Sequence, residues 1–246
     1  MHRLTGDHLG MEIKGFVDLS LVDWDGKLTS VIFLPRCNFR CPYCHNYTLV
    51  LCPGKEKTIP FERVESYLTS KRDWLDGVCI TGGEPTLHSD LPELCSRIKN
   101  IGLPVKLDTN GTNPQMVEGL IEERIVDYIA ADIKAPLTAH KYSRAIGVDS
   151  ENALREVKET IGVLLASRVD YEFRTTVVPT LHGEEDIEEI SRDIKGCKKY
   201  VLQRFDVSVG KKTLDPAFSE LKPFADDEIV SFLEAARKYV PTTRIR

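Results

Sequence analysis

The chain has 246 residues, 41% of them hydrophobic and 29% charged, with a formal net charge of −5. That balance suits an ordinary water-soluble protein with one large core, and the slight acidity offers no field to recruit nucleic acid. The first residues, Met1 to His8, lack a basic-then-apolar targeting pattern, and no apolar run nears the roughly 18 residues of a membrane span, so a cytoplasmic protein is expected.

Residues 1–11 carry no clear pattern. Alternating apolar positions Phe16, Leu19, Leu21 and Trp24 predict a short strand or hairpin ending at Asp25-Gly26. The run Leu28–Leu34 reads as a buried strand stopped by Pro35. Pro60 then opens a helix from Phe61 to about Trp74. The remaining predicted strands are 77–81, 104–107, 128–133, 171–178 and 200–205. They alternate with helices at 91–100, 114–123, 138–146, 151–166, 184–194 and 226–239. Six strand–helix alternations with no low-complexity linker imply an α/β fold with a parallel sheet and right-handed crossovers. The pattern fits an open doubly wound sheet or a full or partial barrel. Its polar motifs follow the strands, at the C-terminal edge where both architectures place active sites. One domain is expected over 1–246, with a core of about 13–206 and a C-terminal extension over 207–246.

Three of the seven cysteines, Cys37, Cys41 and Cys44, fall in one C-x3-C-x2-C loop directly after the first buried strand. Three ligands leave one iron of a cuboidal iron–sulfur cluster open, which suits chemistry more than structural support. A zinc site with His45 or Cys52 as fourth ligand is the alternative, but no second close pair of ligands follows. Cys52, Cys79, Cys95 and Cys197 are isolated, which argues against a disulfide framework and for a reducing compartment. His2, His8, His88, His140 and His182 show no ligand-like spacing. The acidic run from Glu184 to Glu189 reads as a solvated helix start.

Other strand ends carry candidate groups. Gly82-Gly83-Glu84-Pro85 offers a close backbone approach and a carboxylate, and Asp108-Thr109-Asn110-Gly111 reads locally as an Asx-type turn. Asp132 and Lys134 flank Ile133, so the period of two puts both on one face of their strand. Arg174 lies on the fifth strand, and Asp23 near the first hairpin.

Taken together, C-x3-C-x-Φ-C with Tyr43 as Φ, GGE at 82–84, D-T-N-G at 108–111, D-Φ-K at 132–134 and R-x-x-V-V-P at 174–179 resemble the radical S-adenosylmethionine superfamily. The resemblance spans about 13–206 and is nearest to the glycyl-radical-enzyme activating enzymes. It implies a partial (β/α)6 barrel of the TIM type. It also implies a [4Fe–4S] cluster on Cys37, Cys41 and Cys44, with S-adenosylmethionine on the fourth iron. Tyr43, Gly82, Gly83, Glu84, Asp108, Thr109, Asn110, Asp132, Lys134 and Arg174 would then contact that cofactor. Asp108, Thr109 and Asp132 would hold a monovalent cation, and Asp23 would line the groove for a partner's glycine loop. The implied activity is reductive cleavage of S-adenosylmethionine to a 5′-deoxyadenosyl radical, which removes hydrogen from a glycine of a partner enzyme. The ending Gln203-Arg204-Phe205 is similar to that of anaerobic ribonucleotide reductase activators. It lacks the histidine of pyruvate formate-lyase activating enzymes. A flavodoxin- or ferredoxin-type electron donor is the other implied partner. A radical enzyme acting on a small molecule or RNA base, a simple electron carrier and a zinc module are the competing readings.

Overall fold

The computed structural model describes residues 11–208 and 212–246. The opening segment 1–10, with His2 and His8, lies outside the described residues. Among the described residues, eight strands form one open sheet in chain order. These are β1 (Gly15–Ser20), β2 (Thr29–Leu34), β3 (Gly77–Gly82), β4 (Val105–Thr109), β5 (Tyr128–Asp132), β6 (Asp170–Val177), β7 (Tyr200–Arg204) and β8 (Arg244–Ile245). β1 runs antiparallel to β2, and every later neighbour pair is parallel. β2 to β7 are the six strands expected of a partial barrel, and β1 is the expected hairpin arm.

Helices cover the outer face. They are α1 (Tyr47–Leu51), α2 (Phe61–Lys71), α3 (Leu91–Ile101), α4 (Pro114–Glu122), α5 (Ala139–Ile146), α6 (Glu151–Ala166), α7 (Glu184–Asp193), α8 (Pro216–Ser219) and α9 (Asp226–Arg237). α3 shows why they sit there: Leu91, Leu94, Cys95 and Ile98 form one buried stripe at helical spacing. The strands they cover are apolar on both faces, as expected where helices pack outside and side chains fill the inside.

The exceptions to that apolar pattern point into the barrel. Towards the N-terminal ends of the strands, buried Trp24 packs against Tyr128 with ring centroids 5.6 Å apart. Glu172, also buried, accepts from Tyr128 at 3.0 Å and pairs with Lys199 at 2.9 Å and Arg246 at 3.2 Å. Asp25, in the turn after β1, reaches the same Lys199 at 2.5 Å and Arg246 at 2.6 Å. The two edges of the open sheet therefore meet at this end through side chains. Among the described residues, no helix is long and apolar enough to cross a membrane.

The C-terminal extension is tied to the rest. β8 adds to β7, and α9 packs on α7, where Ser231 donates to Glu184 at 2.8 Å.

Candidate active site

The cysteine loop leaves β2 and is held from several directions by main-chain bonds. Gly83 N–H donates to Leu34 O at 2.8 Å, and Glu84 N–H to Arg36 O at 2.7 Å. Arg40 N–H donates to Ile146 O at the end of α5, 2.7 Å away. From the other side, Leu214 N–H reaches Cys44 O at 3.0 Å and Asp215 N–H reaches Pro42 O at 2.9 Å. Side chains add to this hold. Asn46 donates to Gly82 O at 2.9 Å, and Asn38 is bonded to both Thr112 (2.7 Å) and Asn110 (2.8 Å). The loop is therefore shaped by the protein alone.

The loop roofs a cavity of about 300 Å³ at the C-terminal ends of β3 to β7, a size in the range of small-ligand sites. Cys37, Cys41 and Cys44 all line it, as do Tyr43, Glu84, Asp108, Thr109, Asn110, Asp132, Lys134 and Arg174. Burial pushes the Cys37 thiol up to about 11 and the Cys41 thiol up to about 12, with the Lys134 ammonium opposing it at Cys41. Among the described residues, no three His, Cys, Asp or Glu side chains are placed to hold a single metal ion. Three thiols lining one cavity suit a multi-iron cluster, in which each thiolate takes its own iron. Tyr43 lines the cavity, and its buried hydroxyl has no hydrogen-bond partner among the described residues. A buried polar atom in that state is suited to a polar ligand.

The zinc reading needed a fourth ligand. Cys52 is not among the lining residues; His45 is, but its ring stacks on Phe205 with centroids 5.9 Å apart and its Nδ1 lies 3.3 Å from Lys212 O.

The floor of the cavity is ionic. Asp132 accepts from Lys134 Nζ at 2.8 Å and from Arg174 Nε at 2.8 Å. Arg174 Nη1 reaches Asp108 at 3.1 Å, and Lys106 Nζ bonds the other oxygen of Asp108. Lys106 and Asp108 share one face of β4, as Asp132 and Lys134 share one side of the chain at the end of β5. Asp132 and Arg174 are register partners across β5 and β6. Asp132 and Lys134 lie on one side, as the period of two predicts, and form an ion pair that Arg174 ties to Asp108.

Glu84 behaves differently from the carboxylate expected at the edge. It is 1% exposed and its oxygens accept four bonds. These come from Thr86 N–H (3.1 Å), Thr86 Oγ1 (2.6 Å), Thr109 Oγ1 (2.7 Å) and Asn110 N–H (2.6 Å). Its side chain pins the end of β4 to the end of β3. The paired glycines likewise serve the protein's own main chain. A Cβ on Gly82, which has φ 119°, would lie 2.3 Å from Leu34 O, and one on Gly83 would lie 1.8 Å from Arg36 O. They let the exit of β2 lie against the end of β3.

Asp23 is not among the cavity's lining residues. It sits in the turn after β1 and accepts from Ser20 Oγ at 2.5 Å. Thr109 and both carboxylates of the expected cation site are already engaged, the carboxylates by Lys106, Arg174 and Lys134. Lys106, Asn38, Asn46 and His182 were not singled out from sequence as site residues. Lys106 carried a usable signal, since Lys106-Leu107-Asp108 repeats the charge–apolar–charge pattern of 132–134. His182 carried none. It is buried, accepts from Val178 N–H at 3.0 Å through Nδ1, and so donates through Nε2 to Lys134 O at 2.9 Å.

The sequence pattern of the radical SAM superfamily matches residues 31–195. A "putative glycyl-radical enzyme activating enzyme" of Methanocaldococcus jannaschii is 35% identical over 95% of this chain and 95% of its own. A second protein of that description from the same organism is 28% identical over 73% of this chain and 68% of its own. Among solved structures, Streptococcus suis SuiB bound to S-adenosylmethionine superposes with a TM-score of 0.63 at 16% identity. That superposition covers 88% of this chain and 51% of SuiB, a likeness of fold.

Proposed function

The chain belongs to the radical SAM superfamily, and from that premise we propose that it activates a glycyl radical enzyme by removing the Cα hydrogen of a partner glycine. The family brings a [4Fe–4S] cluster and S-adenosylmethionine as cofactors. When bound and reduced by a low-potential donor of the flavodoxin or ferredoxin type, they supply a 5′-deoxyadenosyl radical by reductive cleavage of the sulfonium C–S bond.

The chain's own residues divide the remaining work. Cys37, Cys41 and Cys44 hold the cluster as thiolates, so loading it must release their protons. Gly82 and Gly83 let the exit of β2 pack against the end of β3 and so set the cysteine loop over the cavity. Glu84 holds Thr109 and Asn110 in place through the bonds described above. Lys134 and Arg174 offer positive charge to a ligand carboxylate, with Asp132 fixing both in position. Tyr43 offers its unpartnered hydroxyl. The barrel walls exclude water and competing hydrogen donors from the reacting centre.

The observation that carries the partner assignment is the 35% identity to a putative activating enzyme over 95% of both chains. The Gln203-Arg204-Phe205 ending favours an anaerobic ribonucleotide reductase as that partner. The test is anaerobic reconstitution with dithionite, S-adenosylmethionine and such a reductase, read by electron paramagnetic resonance. A glycine-centred doublet on the partner is expected. If 5′-deoxyadenosine forms but no glycyl radical arises on any such partner, the substrate is instead a small molecule or an RNA base.

A further inference from the structure

We propose that the buried ammonium of Lys106 takes the place of an alkali cation beside Asp108, so that this chain binds S-adenosylmethionine without needing a bound monovalent ion. The geometry leaves such an ion no carboxylate oxygen of Asp108 or Asp132 that a cation does not already hold. All four oxygens of Asp108 and Asp132 already accept from a cationic nitrogen: Lys106 and Arg174 on the first, Arg174 and Lys134 on the second. Thr109 Oγ1 is also used, donating to Glu84 at 2.7 Å and accepting from Gly111 N–H at 3.1 Å. An incoming cation would meet three positive side chains and displace at least one of them.

The charge tally agrees. Lys106, Lys134 and Arg174 against Asp108 and Asp132 give 3 − 2 = +1. Replacing Lys106 by a neutral side chain and adding one alkali ion would give the same sum. Lys106 is 1% exposed and lies one layer below the cavity, directly paired in register with Cys79 of β3. A buried ammonium persists only where its charge is matched, and Asp108 is the carboxylate that matches it. Lys106 is therefore a positioning residue. It holds Asp108, which in turn holds Arg174 against the cavity floor.

This inference rests on the family's cofactor and not on the identity of the partner, so the test uses binding alone. Reconstituted protein without reductant is titrated with S-adenosylmethionine at matched ionic strength in potassium, sodium or tetramethylammonium chloride. The parent protein is expected to bind equally, within about twofold, in all three. Lys106→Met is expected to lose about tenfold in tetramethylammonium and to recover in potassium or sodium. Lys106→Arg, which keeps the charge, is expected to stay indifferent to the salt. Loss of about tenfold or more by the parent protein when alkali ions are withdrawn overturns the proposal, even if no variant folds. A Lys106→Met protein that weakens equally in every salt overturns it too.

Discussion

Asp132 and Glu84 are both buried carboxylates on one cavity, and their surroundings act on them in opposite directions. At Glu84, burial pushes the carboxyl above its usual range, and the bonds from Thr86, Asn110 and Thr109 only partly oppose it. At Asp132, burial pushes the same way, but the Arg174 guanidinium and Lys134 ammonium outweigh it and hold the group at about 2. A depressed carboxylate stabilises the fold above its unfolded value and loses that contribution as pH falls through its folded value. For Asp132 this amounts to about 2 kcal/mol, complete above about pH 5 and about half gone by pH 3. Urea unfolding should therefore find Asp132→Asn less stable than the parent at pH 6 by about 2 kcal/mol or more, with the gap narrowing as the medium is acidified. A gap unchanged from pH 6 to pH 3 contradicts this pairing. At the cysteine loop, Cys41→Ala should yield a colourless protein after anaerobic reconstitution. Retention of a full iron and sulfide complement would remove Cys41 from the ligand set.

At the scale of elements, the close contact of the β2 exit with the β3 end sets the shape of the cysteine loop. Gly83→Ala would drive a methyl group into Arg36 O and should cost about 3 kcal/mol, seen as a lowered thermal midpoint. A variant as stable as the parent would mean that the loop can shift freely. Such contacts explain what the sequence made legible and what it did not. β2, β3 and β5 could be read as apolar runs, and β4, β6 and β7 as alternating or β-branched stretches, each bounded by Gly, Pro or a polar motif. β8 could not, since Arg244–Ile245 is two residues long and exists only by pairing with β7. The short helices α1 and α8 gave no period for the same reason of length. Phe205 read as part of the sixth strand, yet β7 ends at Arg204 and Phe205 stacks on His45. Asp132 and Lys134 could be put on one face from spacing alone. The role of Glu84 could not be read, because its partners Thr109 and Asn110 lie at and just past the end of the next strand and share no local pattern with it. His182 touches Lys134 across 48 residues of chain, a contact that only the fold creates.

Across the whole molecule, one end of the open barrel carries the cavity and the other is bound together by charge. Asp25 from the β1 edge meets Lys199 and Arg246 from the β7–β8 edge, around buried Glu172. Asp25 is partly exposed, so the clasp should contribute only about 1 kcal/mol to global stability. Its effect should appear locally. Asp25→Ala should speed hydrogen exchange in β8 and in the turn after β1 while leaving α3 unchanged; uniform exchange rates in both proteins would show that the edges do not depend on it. The cavity end answers to the chemistry. A partner enzyme labelled with Cα-deuterated glycine, mixed anaerobically with reduced, reconstituted protein and S-adenosylmethionine, tests the proposed activity most directly. The expected result is one deuterium carried into 5′-deoxyadenosine in step with radical formation on the partner. Unlabelled 5′-deoxyadenosine, formed at the same rate with and without the partner, would contradict it.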